Sequence, residues 1–302
     1  MSVKHDDEGR QRTRRPGSEP EEITLELPHG LEVRGVSWNH GAPGTPALAL
    51  HGWMDNAASF APMAPLLGGS PVVAVDLPGH GRSGWRPPGC SYHFVDYVRD
   101  VHDVARSLGW TRLDLIGHSM GAAIAGLFAG ALPELVRKLV LIDGIGPRST
   151  SPACAPALVA ESLAERARRA ARPPRTSASE DELVDRMLTA RPWISRRACV
   201  ELVGRCGAQV GEGWRFTHDP ALRAPSLLRL SEEHVLAFLS GITAPTLLIR
   251  AEQGWPADES LLSARTAAID DLTLLRLDGT HHLHMEQPVG IAGHLNAFLE
   301  SE

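Results

Sequence analysis

A serine between two glycines is the residue of this sequence best suited to covalent chemistry. Ser119 lies at the centre of a Gly-x-Ser-x-Gly pattern, after the apolar run 113–116 and before the small-residue segment 122–131. In a sharp turn from strand to helix, the glycines let the serine hydroxyl project from the sheet, where a base can activate it. The backbone N–H of Met120, at the start of the helix, would face a developing oxyanion. The pattern therefore predicts a nucleophile at Ser119.

Three histidines near the end of the chain are the candidate bases. His281, His282 and His284 follow an apolar run and precede the last helical pattern. An imidazole titrates near neutral pH, so it can take the serine proton and return it to a leaving group. As metal ligands the three would converge poorly on one tetrahedral ion, and no carboxylate or cysteine pattern completes a set. The residues alone leave the choice of base open, and we expect no metal and no cofactor.

A second oxyanion donor is expected after the neighbouring apolar run, 47–50. The backbone N–H of Trp53 is the candidate, because Gly52 lets the chain approach a substrate closely. Trp53 as a pocket wall is the alternative. Other aromatic and imidazole side chains are guessed to bind substrate, although aromatic residues are more often core residues. This group consists of His51, His118, Trp193, Trp214 and Trp255.

The elements that must position these residues are strands covered on both faces. Short apolar runs alternate with segments of helical period, which is typical of βαβ units and a parallel sheet. The first two runs flank Pro28-His29-Gly30 and predict an antiparallel hairpin at the sheet edge. We predict an α/β fold with a mostly parallel twisted sheet flanked by helices. The predicted strands are 23–27, 31–38, 47–50, 72–75, 113–116, 139–142, 246–249 and 272–277.

The chain divides into a tail, a core and an insertion. Residues 1–22 are polar and poor in large apolar side chains, which predicts a disordered N-terminal tail. Residues 23–146 and 243–302 carry the strand pattern of the core domain. Between them, 147–242 contain helical patterns and no convincing parallel strand. This stretch is too long for a loop, so we expect a mainly helical cap, inserted after the sixth strand and lying over the carboxyl ends of the strands.

Composition excludes several classes of function. The net charge of −6 and the pI near 6.2 give no field that would attract nucleic acid. No run of 18 uncharged apolar residues predicts a membrane span, and no apolar leader precedes the core. The four cysteines are widely spaced and are interpreted as reduced thiols. We expect a cytoplasmic monomer or homodimer that acts on a small-molecule substrate.

Taken together, these residues resemble the α/β-hydrolase superfamily, over about residues 23–300. Within it, residues 51–60 are similar to the serine hydrolase-like protein group. The resemblance implies that His281 is the base, His284 a structural neighbour and His282 a wall residue. The motifs that carry it are His51-Gly-Trp53, Asp76-Leu-Pro-Gly-His-Gly-Arg-Ser83, the glycine-flanked serine and Gly279-x-His281-x-x-His284-x-Glu286-x-Pro288.

The acid that orients the base departs from the family pattern. The family's usual Gly-x-x-Asp stands here as Ala251-Glu-Gln-Gly254, with glycine in place of the carboxylate. Asp143 follows the run 139–142, a position where some superfamily members carry their acid, and it is the predicted acid. Asp258 and Glu252 are the alternatives, and ordinary capping or loop bonding is the competing interpretation of each.

These residues predict hydrolysis of a carboxylic ester through an acyl-enzyme on Ser119. Carbon–carbon bond, amide or lactone hydrolysis on the same residues is one alternative, and a non-catalytic ligand receptor of the same fold is another. The arginine-rich stretch 161–175 is interpreted as a solvated face because Glu161 and Glu165 interleave with the arginines. The other interpretations of that stretch are steering of an anionic substrate and contact with a membrane surface.

Overall fold

The computed structural model describes residues 19–172, 175–256 and 258–301, so most of the predicted tail, 1–18, lies outside the described residues. Within those ranges the strands pair as one large sheet and one small hairpin. The strands are β1 (Glu21–Glu26), β2 (Glu32–Trp38), β3 (Ala47–Leu50), β4 (Val72–Val75), β5 (Leu113–His118), β6 (Val136–Ile142), β7 (Gly207–Val210), β8 (Gly213–Phe216), β9 (Thr246–Gln253) and β10 (Leu272–Thr280).

The large sheet has the strand order β1-β2-β4-β3-β5-β6-β9-β10. The pairs β1–β2 and β2–β4 are antiparallel and all the others are parallel. From β3 the chain continues to β4 on one side and then to β5 on the other, so the order reverses at β3. Ligand crevices of open α/β sheets form at such switch points, outside the carboxyl ends of the strands. The chain that follows β3 and the chain that follows β5 flank this place.

Helices cover both faces of the sheet, which explains the continuous apolar strands. Leu48 and Leu50 of β3 face one buried cluster, and Ala47 and Ala49 face the other. The predicted parallel sheet flanked by helices is confirmed. The helices are α1 (Phe94–Ser107), α2 (Met120–Ala131), α3 (Ala155–Ala170), α4 (Glu180–Ala190), α5 (Arg196–Cys206), α6 (Glu232–Ser240), α7 (Glu259–Ala267), α8 (Leu283–Glu286) and α9 (Pro288–Glu300).

The insertion is the chain between β6 and β9, and it is mainly helical as predicted. It holds α3 to α6 and the antiparallel hairpin β7–β8, which the sequence did not predict because its strands are short and rich in glycine and polar residues. A small apolar cluster of its own includes Leu183, Val203 and, from the core, Met285. The insertion contacts residues that follow β3 and β4, through Arg191 on Asp55 and Arg205 on Asp76. It therefore lies at the carboxyl ends of the strands.

The first strand begins earlier than the sequence analysis placed it. Glu21 and Glu22, assigned there to the tail, pair with Ser37 and Val36 of β2. An edge strand can carry exposed glutamates because one of its faces meets water. Composition alone therefore extended the tail two residues too far.

Candidate active site

The turn that carries Ser119 joins β5 to α2. Ser119 has φ 53°, a left-handed conformation that non-glycine residues adopt at a cost. Its neighbours explain why glycines flank it. A Cβ on Gly117 would lie 2.5 Å from Ala122 Cα, and a Cβ on Gly121 would lie 2.0 Å from the carbonyl oxygen of Leu50. The chain therefore packs closely on both sides of the serine.

His281 lies directly after β10 and faces this serine. Its Nε2 is 2.9 Å from Ser119 Oγ. Burial is the main reason that the pKa of His281 is lowered to about 4; the neighbouring His118 and His282 add to this, and the hydrogen bond to Asp143 opposes it. A neutral imidazole at this place can accept the serine proton at neutral pH.

Asp143 follows β6 and binds the other ring nitrogen of His281. Its Oδ2 is 2.6 Å from His281 Nδ1. The same carboxylate accepts the N–H of Trp255 at 2.9 Å and the N–H of Ala251 at 3.1 Å. Arg250 Nη1 forms an ion pair with Oδ1 at 2.9 Å. Burial raises the pKa of Asp143. The hydrogen-bond donors and the arginine charge outweigh this effect and hold that pKa below its ordinary value.

The glycine that interrupts the usual acid position makes room for this carboxylate. A Cβ on Gly254 would lie 2.4 Å from Asp143 Oδ2. A side chain at position 254 and the carboxylate of Asp143 cannot occupy the same space.

Sequence reasoning missed Arg250, although a charged residue near the end of an otherwise apolar strand was a usable signal.

The two alternative acids lie elsewhere. Asp258 caps the N-terminus of α7, where its side chain accepts the N–H groups of Ser260 and Leu261. Glu252 is exposed near the end of β9. The structure thus brings Asp143 to His281 and assigns Asp258 the ordinary capping role.

The chain that follows β3 carries the predicted oxyanion donor Trp53, and residues 51–56 are called the oxyanion loop here. The N–H of Asp55 donates to the carbonyl oxygen of Gly52 at 3.1 Å, which closes a tight turn over residues 52–55. Met54 has φ 62° in this turn. Met120 is the first residue of α2, so its N–H has no partner within the helix. The oxyanion roles of Trp53 and Met120 stay predictions.

Two histidines that were guessed to bind substrate are buried instead. His51 Nδ1 is 2.7 Å from its neighbour's carbonyl oxygen, and its Nε2 accepts the N–H of Leu77 at 2.9 Å. His118 Nε2 donates to the carbonyl oxygen of His281 at 2.9 Å. Neither side chain is accessible to solvent. Their hydrogen bonds to backbone groups hold the neighbouring loops in place, and the substrate-binding role guessed for the two histidines stays a prediction.

The three predicted tryptophans have different surroundings. Trp255 is half exposed, and its ring centroid lies 5.6 Å from that of His281. The carbonyl oxygen of Trp193 accepts the hydroxyl of Thr280, the residue before His281, at 2.9 Å. Trp214 is partly buried and packs against the apolar cluster of the insertion, and its substrate-binding role stays a prediction. Of the three, Trp255 is the one that flanks the His281 ring.

Behind the site lies a group that sequence reasoning did not find. Asp55 Oδ2 is 3.2 Å from His282 Nε2 and 3.7 Å from His118 Nδ1. The potential ligand atoms of these three buried side chains lie within 4.8 Å of one another, so they could hold a metal ion. Arg191 Nη1 already pairs with Asp55 Oδ1 at 2.5 Å. Burial raises the pKa of Asp55, but Arg191 and His282 hold it well below its ordinary value.

Charges at the surface of the insertion are partly paired. Within the arginine-rich stretch, Glu165 forms ion pairs with Arg168 at 2.8 Å and Arg169 at 2.7 Å. These pairs favour the interpretation of a solvated face.

None of the helices in the described part of the chain is both long enough and apolar enough to cross a lipid bilayer.

Comparison with known proteins places this geometry in a family. The family model described as the alpha/beta hydrolase fold matches residues 46–288. A serine hydrolase-like protein of Dictyostelium discoideum is 31% identical over 302 residues, covering 94% of this chain and 83% of that protein. A serine hydrolase-like protein of Danio rerio is 30% identical over 291 residues, covering 93% of this chain and 89% of that protein.

Solved structures agree with the sequence relatives. A hypothetical protein of Pseudomonas aeruginosa is 36% identical with a TM-score of 0.86, and the alignment covers 93% of this chain and 100% of that one. A thioesterase domain from the curacin biosynthetic pathway has a TM-score of 0.79 at 23% identity, covering 93% of this chain and 99% of that one, which demonstrates a shared fold.

Proposed function

Because the chain belongs to the alpha/beta hydrolase fold family, we propose that it is a serine hydrolase that cleaves small carboxylic esters. Ser119 is the proposed nucleophile, His281 the base and Asp143 the acid. The observation that carries the proposal is the position of His281, with Nε2 2.9 Å from Ser119 Oγ and Nδ1 2.6 Å from Asp143 Oδ2. These are hydrogen-bond distances on both sides of one imidazole.

In the proposed reaction, Ser119 Oγ attacks the ester carbonyl carbon while His281 Nε2 takes the hydroxyl proton. The carbonyl electron pair moves onto oxygen, which the N–H groups of Trp53 and Met120 stabilise. The C–O bond to the alcohol then breaks, and His281 returns the proton to the leaving oxygen. A water molecule repeats the sequence on the acyl-serine, which releases the acid and restores Ser119.

The proposed role of Asp143 is to keep His281 in the tautomer with hydrogen on Nδ1. That tautomer leaves the lone pair of Nε2 towards Ser119. The negative carboxylate also stabilises the imidazolium that forms when the serine proton is taken. Four donors hold the carboxylate, namely Arg250, His281 and the N–H groups of Ala251 and Trp255.

Labelling with a fluorophosphonate probe tests the nucleophile, and a panel of p-nitrophenyl esters of graded acyl length tests the substrate class. We expect labelling and ester turnover for the native chain, and loss of both in Ser119→Ala, by up to about 10⁶-fold in kcat. Ser263→Ala is the matched control, because Ser263 is exposed on α7. A folded native chain that neither labels nor turns over any ester would contradict the proposal and favour a ligand receptor.

A further inference from the structure

One arginine of the insertion reaches across to the predicted oxyanion loop. Arg191 follows the last residue of α4, and its side chain is 14% exposed. Its Nη1 contacts Asp55 Oδ1 at 2.5 Å. Its Nη2 donates to the carbonyl oxygen of Met54 at 3.0 Å and lies 3.4 Å from that of Trp53. One planar group therefore contacts three consecutive residues of the loop.

The loop conformation that Arg191 contacts is a strained one. Met54 is the third residue of the turn closed between Gly52 and Asp55, and its φ of 62° is the value that favours glycine at this position. A non-glycine residue in such a conformation costs about 1 kcal/mol or more and persists when its surroundings hold it. The guanidinium contacts the carbonyl oxygen of Trp53 and that of Met54 itself. These contacts oppose rotation of the two peptide groups that flank the Cα atom of Met54.

The same part of the insertion also holds the loop of the proposed base. The carbonyl oxygen of Trp193 accepts the hydroxyl of Thr280, which precedes His281. The N–H of Ser195 donates to Glu286 Oε1 at 2.8 Å. Residues 191–195, the bridging segment, thus form hydrogen bonds with two loops. One loop precedes Ser119 in the sequence and includes Asp55, and the other follows it and includes Thr280. Arg191 is the charged member of this segment and the one directed at the oxyanion loop.

We propose that Arg191 is a positioning residue for the proposed hydrolysis: docked from the insertion, its guanidinium holds residues 53–55 so that the N–H of Trp53 meets the oxyanion formed at Ser119. This inference rests on the proposed function and adds to it. It makes the geometry of the oxyanion loop depend on the insertion, because Arg191 bonds the carbonyl oxygens of Trp53 and Met54, whereas the core histidines His118 and His282 approach only the carboxylate of Asp55.

Kinetics of Arg191→Met and Arg191→Lys test the inference, with Arg196→Met as the matched control. Arg196 belongs to the same insertion, but it pairs with Asp181 and Asp185 at the surface. A mispositioned oxyanion donor should lower kcat by about 30-fold in Arg191→Met, since complete removal of one donor costs about 10²–10³-fold. KM should change by less than about threefold, because the loss falls on the transition state.

A trifluoromethyl ketone provides a readout that general destabilisation would not move. It adds to the active serine and places an oxyanion in the same hole as the transition state. We expect its affinity for Arg191→Met to fall by the same factor as kcat/KM, whereas a neutral ester-like ground-state inhibitor keeps its affinity. In Arg191→Lys one ammonium cannot bridge Asp55 and both carbonyl oxygens, so we expect about a tenfold loss in kcat.

The outcomes separate this inference from the proposed function. If the native chain does not label with the fluorophosphonate, the proposed function fails. If the native chain is active but Arg191→Met keeps its kcat and its ketone affinity, the positioning role is wrong and the hydrolase stands. Should Arg191→Met not fold, Arg191→Lys decides, because native kinetics and ketone affinity in that variant overturn the inference. Arg196→Met is expected to match the native chain in both measurements.

Discussion

Two neighbouring histidines each bind an aspartate, and each aspartate binds an arginine. In the serine-facing pair, His281 binds Asp143, which Arg250 of the core strand β9 holds at 2.9 Å. In the sealed pair, His282 binds Asp55, which Arg191 of the insertion holds at 2.5 Å. Both carboxyls are buried and both have lowered pKa values, because hydrogen bonds and a cation outweigh the effect of burial.

The difference lies in what the second ring nitrogen faces. His281 Nε2 faces Ser119 Oγ. His282 Nδ1 is buried and has no hydrogen-bond partner among the described residues. The residue types are thus the same in the two pairs, and access to a nucleophile distinguishes them. A histidine–aspartate contact is evidence for chemistry only when the outer nitrogen meets a reacting group.

Removal of the acid in the serine-facing pair should have the largest effect. In Asp143→Asn, the amide can donate to His281 and favour the wrong tautomer, so we expect kcat to fall by about 10⁴-fold. The measurement is the initial rate on the best p-nitrophenyl ester, with circular dichroism to verify folding. Activity within tenfold of native would remove the proposed distinction between the two pairs.

Crowding that carboxylate should have the next largest effect. In Gly254→Ala the new Cβ would lie 2.4 Å from Asp143 Oδ2. The carboxylate must move, and a displacement of about 1 Å in a reacting constellation costs about 10²-fold in rate. Gly293→Ala in α9 is the control, because a Cβ there meets nothing within 4 Å. Equal rates for the two variants would contradict the tight fit between Gly254 and Asp143.

The pH dependence of kcat/KM should separate His281 from an exposed imidazole. Its lowered pKa of about 4, caused mainly by burial, keeps it neutral at higher pH. We expect a constant rate down to about pH 5 and a tenfold fall per pH unit below about pH 4. Because the pKa values of Asp143 and Asp55 are also lowered, their stabilising effect is present above the ordinary carboxyl pKa and is lost only as the pH falls through the lowered values. If kcat/KM instead falls below about pH 6.5, the ordinary pKa of an imidazole, the buried environment of His281 is contradicted.

The sealed pair should affect stability more than rate. Asp55→Asn leaves Arg191 and His282 without a negative partner, and breaking a buried ion pair costs about 3 kcal/mol. We expect a lower free energy of unfolding, measured with urea, and kcat within about tenfold of native in the folded variant. A loss of rate as large as that of Asp143→Asn would make the two pairs equivalent and refute the comparison.

Removal of a carboxylate that belongs to neither pair should have the smallest effect. Asp258→Ala loses the side-chain cap of α7, which costs about 1 kcal/mol of stability. Its kcat should equal that of the native chain. Ester hydrolysis assays give the rate, and thermal unfolding gives the stability. A rate loss above tenfold would restore Asp258 as a candidate acid.

Local patterns predicted the fold better than the site. The runs 47–50 and 72–75 are strands with the predicted bounds because both of their faces are buried. The β7–β8 hairpin was missed because its residues are mostly glycine and polar. The turn at Ser119 was predictable from contiguous residues, whereas the choice of His281 needed the family pattern. Arg191 and Asp55 are 136 residues apart, and no local pattern connects them.

The left-handed backbone conformations at Met54, Ser119 and Asp143 have a consequence for directed evolution. Glycine would relax the backbone by about 1 kcal/mol at each position, but at Met54 it removes a buried side chain and at Asp143 it breaks the buried ion pair with Arg250, and both losses cost more. A laboratory screen for heat resistance alone would therefore favour glycine at Ser119, and the proteins it selected would survive heating without the proposed nucleophile. Heat tolerance and the proposed turnover therefore make opposite demands on the residue at position 119.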